Sequence, residues 1–532
     1  MWNKVATYMS LWHPQLRFLL KRDTPVAPDA TMEEMRFNPF EFDWVVADVA
    51  PGEGTKRSKG KKKIKEVAEP TEAGAWFSPA SLVSVTTDAS DDSWEVKANS
   101  LASSVATDDE PPLPDSDIQP LWRMHVYVRQ DAAGGKVKGK AKGKGKGKGK
   151  GKEAPSNEPL RVDVLMYYSH SIGDGVTAAV FSHDIAKAAS LVVGGSTPSV
   201  ADELVTDLPL DIEAAIWGPA RKPKRSTRIA QVLARKFFAM GGAKVILKER
   251  APLMPNYRDD EAVGELAWSK VGDPTDFLAV IAAGKLHGVR PNAMMLTAAV
   301  FVKAALQRIG MDKRVYSYEC AFPVATRADD RAHTAGFHAS PTDVVFAPSL
   351  ALLTGKAKDS TSFWDLAKQL QQDSDKACRS SQLSLQKSLI FSIFPAMANV
   401  TLPRGAAVDG DVTALNLGRW PYEEASFPGV DILAYRLNQA SVAGALVPGI
   451  VFMWLSALPN GAHTWSAQYG RPAFPSRADA ADFVQAFADL ALDLPTRQGD
   501  VTIGAWIDEL DDDSPFLQYI ERVKEAEKSV KS

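Results

Sequence analysis

Tyr167-Tyr168-Ser169-His170-Ser171-Ile172-Gly173-Asp174-Gly175 is the stretch on which the reading of this chain turns. Upstream of it, Val162, Val164, Met166, Tyr168 and His170 share one parity, so a strand over 161–170 places the histidine on an apolar face. Downstream, a Gly-Asp-Gly turn leads into a helix-like run from Val176 to Ala189. With eight histidines in the chain, an H-x-x-x-D-G string is expected by chance only about 0.03 times. An imidazole that emerges from an apolar wall suits general-base work, because it titrates near neutral pH. The competing reading is a core histidine held by a backbone carbonyl. The glycines behind it, which let backbone or ligand approach closely, favour the first reading.

Just before this strand, Trp122, Met124, Val126 and Val128 alternate with Arg123, His125, Tyr127 and Arg129, which predicts a partner strand over Leu121–Arg129 and hence a β-hairpin. Its connection carries nine lysines between Lys136 and Lys152, mostly alternating with glycine. Such a tract repels itself and cannot bury a core, so it is expected to be a disordered excursion. The 532-residue chain has 62 Lys+Arg against 65 Asp+Glu, a net charge of −3. Without those nine lysines the remainder carries −12, which argues against a nucleic-acid-binding body.

The rest of the chain punctuates itself. Tyr8, Leu11, Trp12, Leu16 and Leu19 predict an early helical run that Pro14 must kink or split. A helix starting almost at Met1 without a preceding strand raises the expectation that amino-terminal sequence is missing. Disordered insertions are expected near 51–70, 84–119 and 131–158, the second being a Ser/Asp/Pro-rich acidic loop. Residues 206–262 read as a connection that includes an amphipathic helix, Ile229 to Lys248. Strand Glu265–Val271, then Asp273-Pro274 as N-cap and first helical residue with Gly288 as the stop, open a second half. Asn292 is expected to cap the next helix, whose face is Met295, Ala299, Val302, Leu306 and Ile309. Asn460-Gly461 predicts a hairpin, and Ser476 with Asp479 a capping box. The expected organisation is an amino-terminal half over 1–205, the connection 206–262, a carboxy-terminal half over 263–510 and a terminal helix over 511–532.

The segment ending in His170-Ser-Ile-Gly-Asp174-Gly175 resembles the H-x-x-x-D-G signature of the CoA-dependent acyltransferase superfamily. That group includes plant BAHD acyltransferases, fungal alcohol acetyltransferases, mycobacterial polyketide-associated acyltransferases and peptide-synthetase condensation domains. His13-Pro14-Gln15-Leu16-Arg17, Pro120-Leu121-Trp122-Arg123, Pro323-Val324-Ala325-Thr326-Arg327 and Asn416-Leu417-Gly418 resemble further elements of the family in the expected order. The resemblance implies an α/β (α+β) fold of two chloramphenicol-acetyltransferase-like halves, with mixed, largely antiparallel sheets and a tunnel between them. It implies His170 as general base, Asp174 and Gly175 as structural residues at the site, and an ion pair of Asp174 with an arginine, for which Arg327 is the candidate; the alternative role of Asp174, compatible with the first, is an N-cap for the following helix. Asn416 and Gly418 would form a second motif. Ser169 stands where condensation domains carry a second histidine, which favours a freestanding enzyme with acyl-CoA as co-substrate and a small-molecule hydroxyl as acceptor. The alternatives are condensation with a carrier-protein thioester, and a non-catalytic descendant that uses the tunnel for binding.

No permanently bound cofactor is expected, and no metal, since His170, Asp174 and His183 lack a further ligand at suitable spacing. Cys320 and Cys378 are the only cysteines, too few for a disulfide framework. Trp420, Trp454 and Trp465 are expected in the core, with tunnel lining as the alternative. No apolar run is expected to span a bilayer. The expectation is a monomeric, cytoplasmic protein, with the peroxisome left open although Ser529-Val530-Lys531-Ser532 is not S-K-L.

Overall fold

The computed structural model describes residues 1–22, 42–46, 79–87, 89–90, 92–107, 118–129, 160–168, 172–205, 232, 264–311, 315–316, 353–354, 360–379, 412–416, 420–438, 451–470, 474, 476–519 and 521. Helix α1 (Trp2–Trp12) ends where Pro14 opens a 3-10 turn, and the chain then straightens into β1 (Phe18–Arg22). Proline thus splits the predicted run as its missing N–H requires. β1 lies between β2 (Phe42–Val46) and β4 (Ile118–Pro120), both antiparallel to it.

The stretch 84–119, expected to be an acidic loop, instead carries β3 (Val83–Thr87) and helix α2 (Ser93–Thr107). Trp94, Ala98 and Leu101 follow helical spacing and are buried, a short stripe that the flanking Ser and Asp residues obscure in the sequence. β3 runs parallel to β5 (Trp122–Val128), and β5 pairs antiparallel with β6 (Val162–Tyr168) in the register Trp122↔Tyr168 to Val128↔Val162. The predicted hairpin is therefore present. Helix α3 (Gly175–Val193), the short turn α4 (Val200–Glu203) and α1 complete this half. Its core gathers Tyr8, Met9, Leu16, Trp122, Met124, Val126, Val180 and Phe181.

The second half is built on a four-stranded sheet in the order β10-β13-β14-β7. Its strands are β7 (Gly264–Trp268), β10 (Val412–Asn416), β13 (Val451–Ala457) and β14 (His463–Gly470). β10 is parallel to β13, and the other pairings are antiparallel. Two-stranded ladders join β8 (Val315–Tyr316) to β9 (Leu353–Thr354), and β11 (Ser426–Phe427) to β12 (Val430–Asp431). On one face of the four-stranded sheet pack α5 (Pro274–His287), α6 (Pro291–Met311), α7 (Phe363–Arg379), α8 (Arg477–Thr496) and α9 (Ile503–Asp508).

The local signals explain these boundaries. The Asp273 side chain accepts from Thr275 N, proline follows at the first helical position, and Gly288 closes α5 with φ +67°. Ser476 accepts from Asp479 N to open α8. Gly461 turns the β13–β14 hairpin at φ +94°. Asn292 does not cap α6, because the helix already begins at Pro291. α6 is buried on every side from Ala293 to Val302, rather than along one face as expected. α3 is long and apolar enough to cross a bilayer by length and composition alone. Most of it is buried inside the protein, as expected of a core helix.

Among the described residues, two contacts between the halves position the site. At the first, the Asn99 side chain of α2 accepts a hydrogen bond from the Leu266 backbone N–H of β7 (2.9 Å). Trp94 packs edge-on against Trp268 there, with Ala98 and Leu165 beside Leu266. The second is the segment 420–438, which leaves the second half after β10 and runs along α3. There the Ser190 hydroxyl donates to the Pro428 carbonyl (2.7 Å), and His183 stacks flat on Tyr422 with ring centroids 3.5 Å apart. Residues 435–438 then return to β14. The hydroxyls of Thr464 and Ser466 donate to the carbonyls of Tyr435 and Leu437, and the Asn438 amide donates to the Ala467 carbonyl.

Beneath this crossing lies a buried His13–Asp184–His183 cluster. His183 Nδ1 is 2.7 Å from Asp184 Oδ1. His13 Nε2 lies 2.9 Å from Oδ2, close enough for a charge contact but not aligned as a hydrogen bond. Burial alone would raise the Asp184 carboxyl, but the two imidazoles outweigh it and hold the group at about 2. Tyr422 above is pushed up by burial and by the Asp184 charge. A carboxyl lowered from 3.8 to about 2 stabilises the ionised fold by about 2 kcal/mol. That stability is complete above the unfolded carboxyl's range and disappears as pH falls through about 2. Replacing Asp184→Asn should therefore cost about 2 kcal/mol at neutral pH. In urea titrations the gap to wild type should narrow between pH 4 and pH 2 and close below it.

Candidate active site

Residues 169–171 are flanked by the end of β6 and the start of α3. β6 ends at Tyr168, and its Val162, Val164, Met166 and Tyr168 pack on the core of the first half, as the sequence parity predicts. The chain resumes with Ile172, 3% exposed, then Gly173 and Asp174, the N-cap of α3. Asp174 is 3% exposed, and its Oδ1 accepts from both the Thr177 backbone N–H (2.9 Å) and the Thr177 hydroxyl (3.0 Å). The Tyr168 hydroxyl donates to the Asp174 carbonyl (3.0 Å) and so ties the strand to the helix across the turn. Gly175 is the first residue of α3.

Gly173 allows this closeness. A Cβ there would stand 2.5 Å from Thr177 Cγ2 and 3.1 Å from the Tyr168 ring. Both neighbours are already tied to Asp174, so neither can swing aside cheaply. Tyr168 further packs edge-on against Phe181.

Around the start of α3 the two halves share a small apolar cluster. Ala178 and Ala179 contact Trp420 and Tyr435 of the crossing segment, with Leu458 and Ala462 of the β13–β14 turn and Tyr168 at the border. Trp420 and Trp465 are buried, as expected, Trp465 among the helices of the second half. Asn416 closes β10 opposite Leu455. His170, Arg327 and Gly418 lie outside the described residues, as do Trp454's side chain and Cys320.

Sequence reasoning missed Tyr435. Its ring is 8% exposed, and its hydroxyl has no hydrogen-bond partner among the described residues. Burial, with the nearby Tyr168 and Asp174, pushes this phenol well above its ordinary range, so it stays protonated and remains a donor. A signal was available in β14. Thr464, Ser466 and Gln468 alternate with Trp465, Ala467 and Tyr469, and every one of them is buried. Polar residues on a second buried face imply that another segment lies across it and supplies acceptors.

The cap and the close approach make separable predictions. Asp174→Ala should cost about 1–2 kcal/mol and Asp174→Asn less, since asparagine also caps. Gly173→Ala should cost about 1–3 kcal/mol by overpacking. Adding Thr177→Ser, which removes the clashing Cγ2 and keeps the hydroxyl, should recover part of that loss in a double-mutant cycle read by denaturant unfolding.

No family model matches the chain, and no curated protein matches it. Solved structures do. The first condensation domain of the calcium-dependent antibiotic synthetase is 14% identical, with a TM-score of 0.53 over 94% of this chain and 89% of that one. The same domain in complex with substrate analogue 3a gives 14% identity and a TM-score of 0.52, over 94% of this chain and 88% of that one. At this level of identity the likeness concerns the fold: two chloramphenicol-acetyltransferase-like halves of mixed helix and sheet, arranged as in condensation domains.

Proposed function

We propose that the chain is an acyltransferase that moves an acyl group from acyl-CoA to the hydroxyl of a small molecule, with His170 as general base. The observation that carries this reading is the setting of residues 169–171. They join a strand end and a capped helix start whose flanking residues pack against side chains from the other half. In this scheme the imidazole takes the proton of the acceptor hydroxyl as its oxygen attacks the thioester carbonyl. Donors stabilise the tetrahedral oxyanion, and the C–S bond then breaks. The imidazolium returns its proton to the thiolate, so the products are an ester and free CoA. No acyl-enzyme is required. Asp174 is structural, with Oδ1 committed to Thr177 and Arg327 as the proposed ion-pair partner of its carboxylate.

A second reading is favoured by one observation, the fold shared with a synthetase condensation domain. There the donor would be a carrier-protein thioester and the acceptor an amine, with the same proton path and an amide as product. The two readings separate in one assay. Thiol release from acetyl-CoA with a panel of alcohols supports the first, and turnover only of acyl carrier protein with amines supports the second. In either case His170→Ala should lower kcat by about 10²–10⁴-fold while leaving the melting temperature unchanged. Retained turnover in that variant would remove the general base from the scheme.

A further inference from the structure

The second half places one polar group in the shared cluster that the general-base scheme does not use. Tyr435 stands on the returning limb of the crossing segment, where its own carbonyl is held by the Thr464 hydroxyl (2.8 Å). Its ring is fixed by Trp420, edge-on with centroids 5.2 Å apart, and by Ala178, Ala179, Leu458 and Ala462. Tyr168, two residues before His170, borders the same cluster, and the Asp174 cap, four residues after it, lies near enough for its charge to act on the phenol. The backbone and ring are therefore held rigidly, while the hydroxyl is buried without a partner among the described residues. A buried hydroxyl without a partner costs about 1–3 kcal/mol, whereas phenylalanine would fill the same volume without that cost. Such a group is a donor still available to a ligand's acceptor.

Resting on the acyl-transfer reading above, we propose that Tyr435 is a catalytic hydrogen-bond donor from the second half, directed at the thioester carbonyl oxygen that becomes the oxyanion. His170 would remove the proton from the nucleophile while Tyr435 stabilises the charge that builds on the electrophile. Tyr435 neither gains nor loses a proton over the cycle. Its hydrogen bond strengthens as the carbonyl oxygen becomes negative and relaxes when the C–S bond breaks. One half would then supply the base and the other the oxyanion donor, so chemistry would depend on their being correctly seated.

The test is Tyr435→Phe, which removes one oxygen atom, run beside wild type and His170→Ala with acetyl-CoA and the alcohol that supports thiol release. An oxyanion donor predicts a kcat lowered about 100-fold. KM for acetyl-CoA should stay within about twofold. The pH–rate profile should keep its position, because the base is untouched, and the melting temperature should equal or exceed that of wild type. A fall in melting temperature would mean that the hydroxyl has a structural partner, and a displaced pH profile would mean that it tunes the base; either overturns the proposal. Full activity in Tyr435→Phe beside an inactive His170→Ala overturns the role of Tyr435 alone. An active His170→Ala overturns the general base, and the rate of Tyr435→Phe still decides this proposal. A wild type that turns over no acyl thioester overturns both.

Discussion

A helix buried in the middle of a protein cannot leave the amide groups of its first turn to water, and α3 meets that demand with the carboxylate of Asp174. Much of the site geometry follows from that one acceptor. Thr177 is held by backbone and side chain together, Tyr168 is tied to the same turn, and Gly173 is required because no Cβ fits between them. The end of β6 and the start of α3 are thereby locked at a short distance, with three residues between Tyr168 and Ile172. A rigid frame around a short connection is the condition under which a side chain on it can be held to the tolerance that catalysis needs.

The segment 420–438 lends that frame its second wall. It makes few ladder hydrogen bonds of its own, apart from the small β11–β12 turn. Side chains supplied by its neighbours hold it instead: Ser190 from α3, and Thr464 and Ser466 from β14. Aromatic stacking on His183 fixes its middle, above a carboxylate that two imidazoles keep ionised. The first half thus helps to determine where a stretch of the second half lies. The apolar cluster at the start of α3 belongs to neither half alone.

How much of this was legible in the sequence depended on the range of the signal. Local chemistry read well. Asp273-Pro274 with Gly288 bounded a helix, Asn460-Gly461 marked a hairpin, and parity identified the core face of β6. Signals diluted by composition were lost, as with α2, whose buried Trp94, Ala98 and Leu101 sit among and beside Ser and Asp residues. Asn292 looked like a cap because residue type alone does not show where a helix begins when proline can open it one position earlier. Tyr435 was invisible for a different reason. Its importance comes from a non-local crossing that leaves no period of its own, only the unexplained polar alternation of β14. For the site, the strand before the His170-to-Gly175 string and the helix after it lie where the sequence placed them, while His170 itself lies outside the described residues.

Asn99 has a consequence of another kind. Among the described residues β7 ends the order of the four-stranded sheet, and the outer backbone groups of such a strand are a template for one more. The Asn99 amide oxygen occupies the Leu266 N–H from a helix of the other half, and the Trp94–Trp268 contact covers the rim beside it. The same contact that joins the halves therefore also covers part of that edge. Separating them would free that donor, so docking of the halves keeps part of a strand edge satisfied.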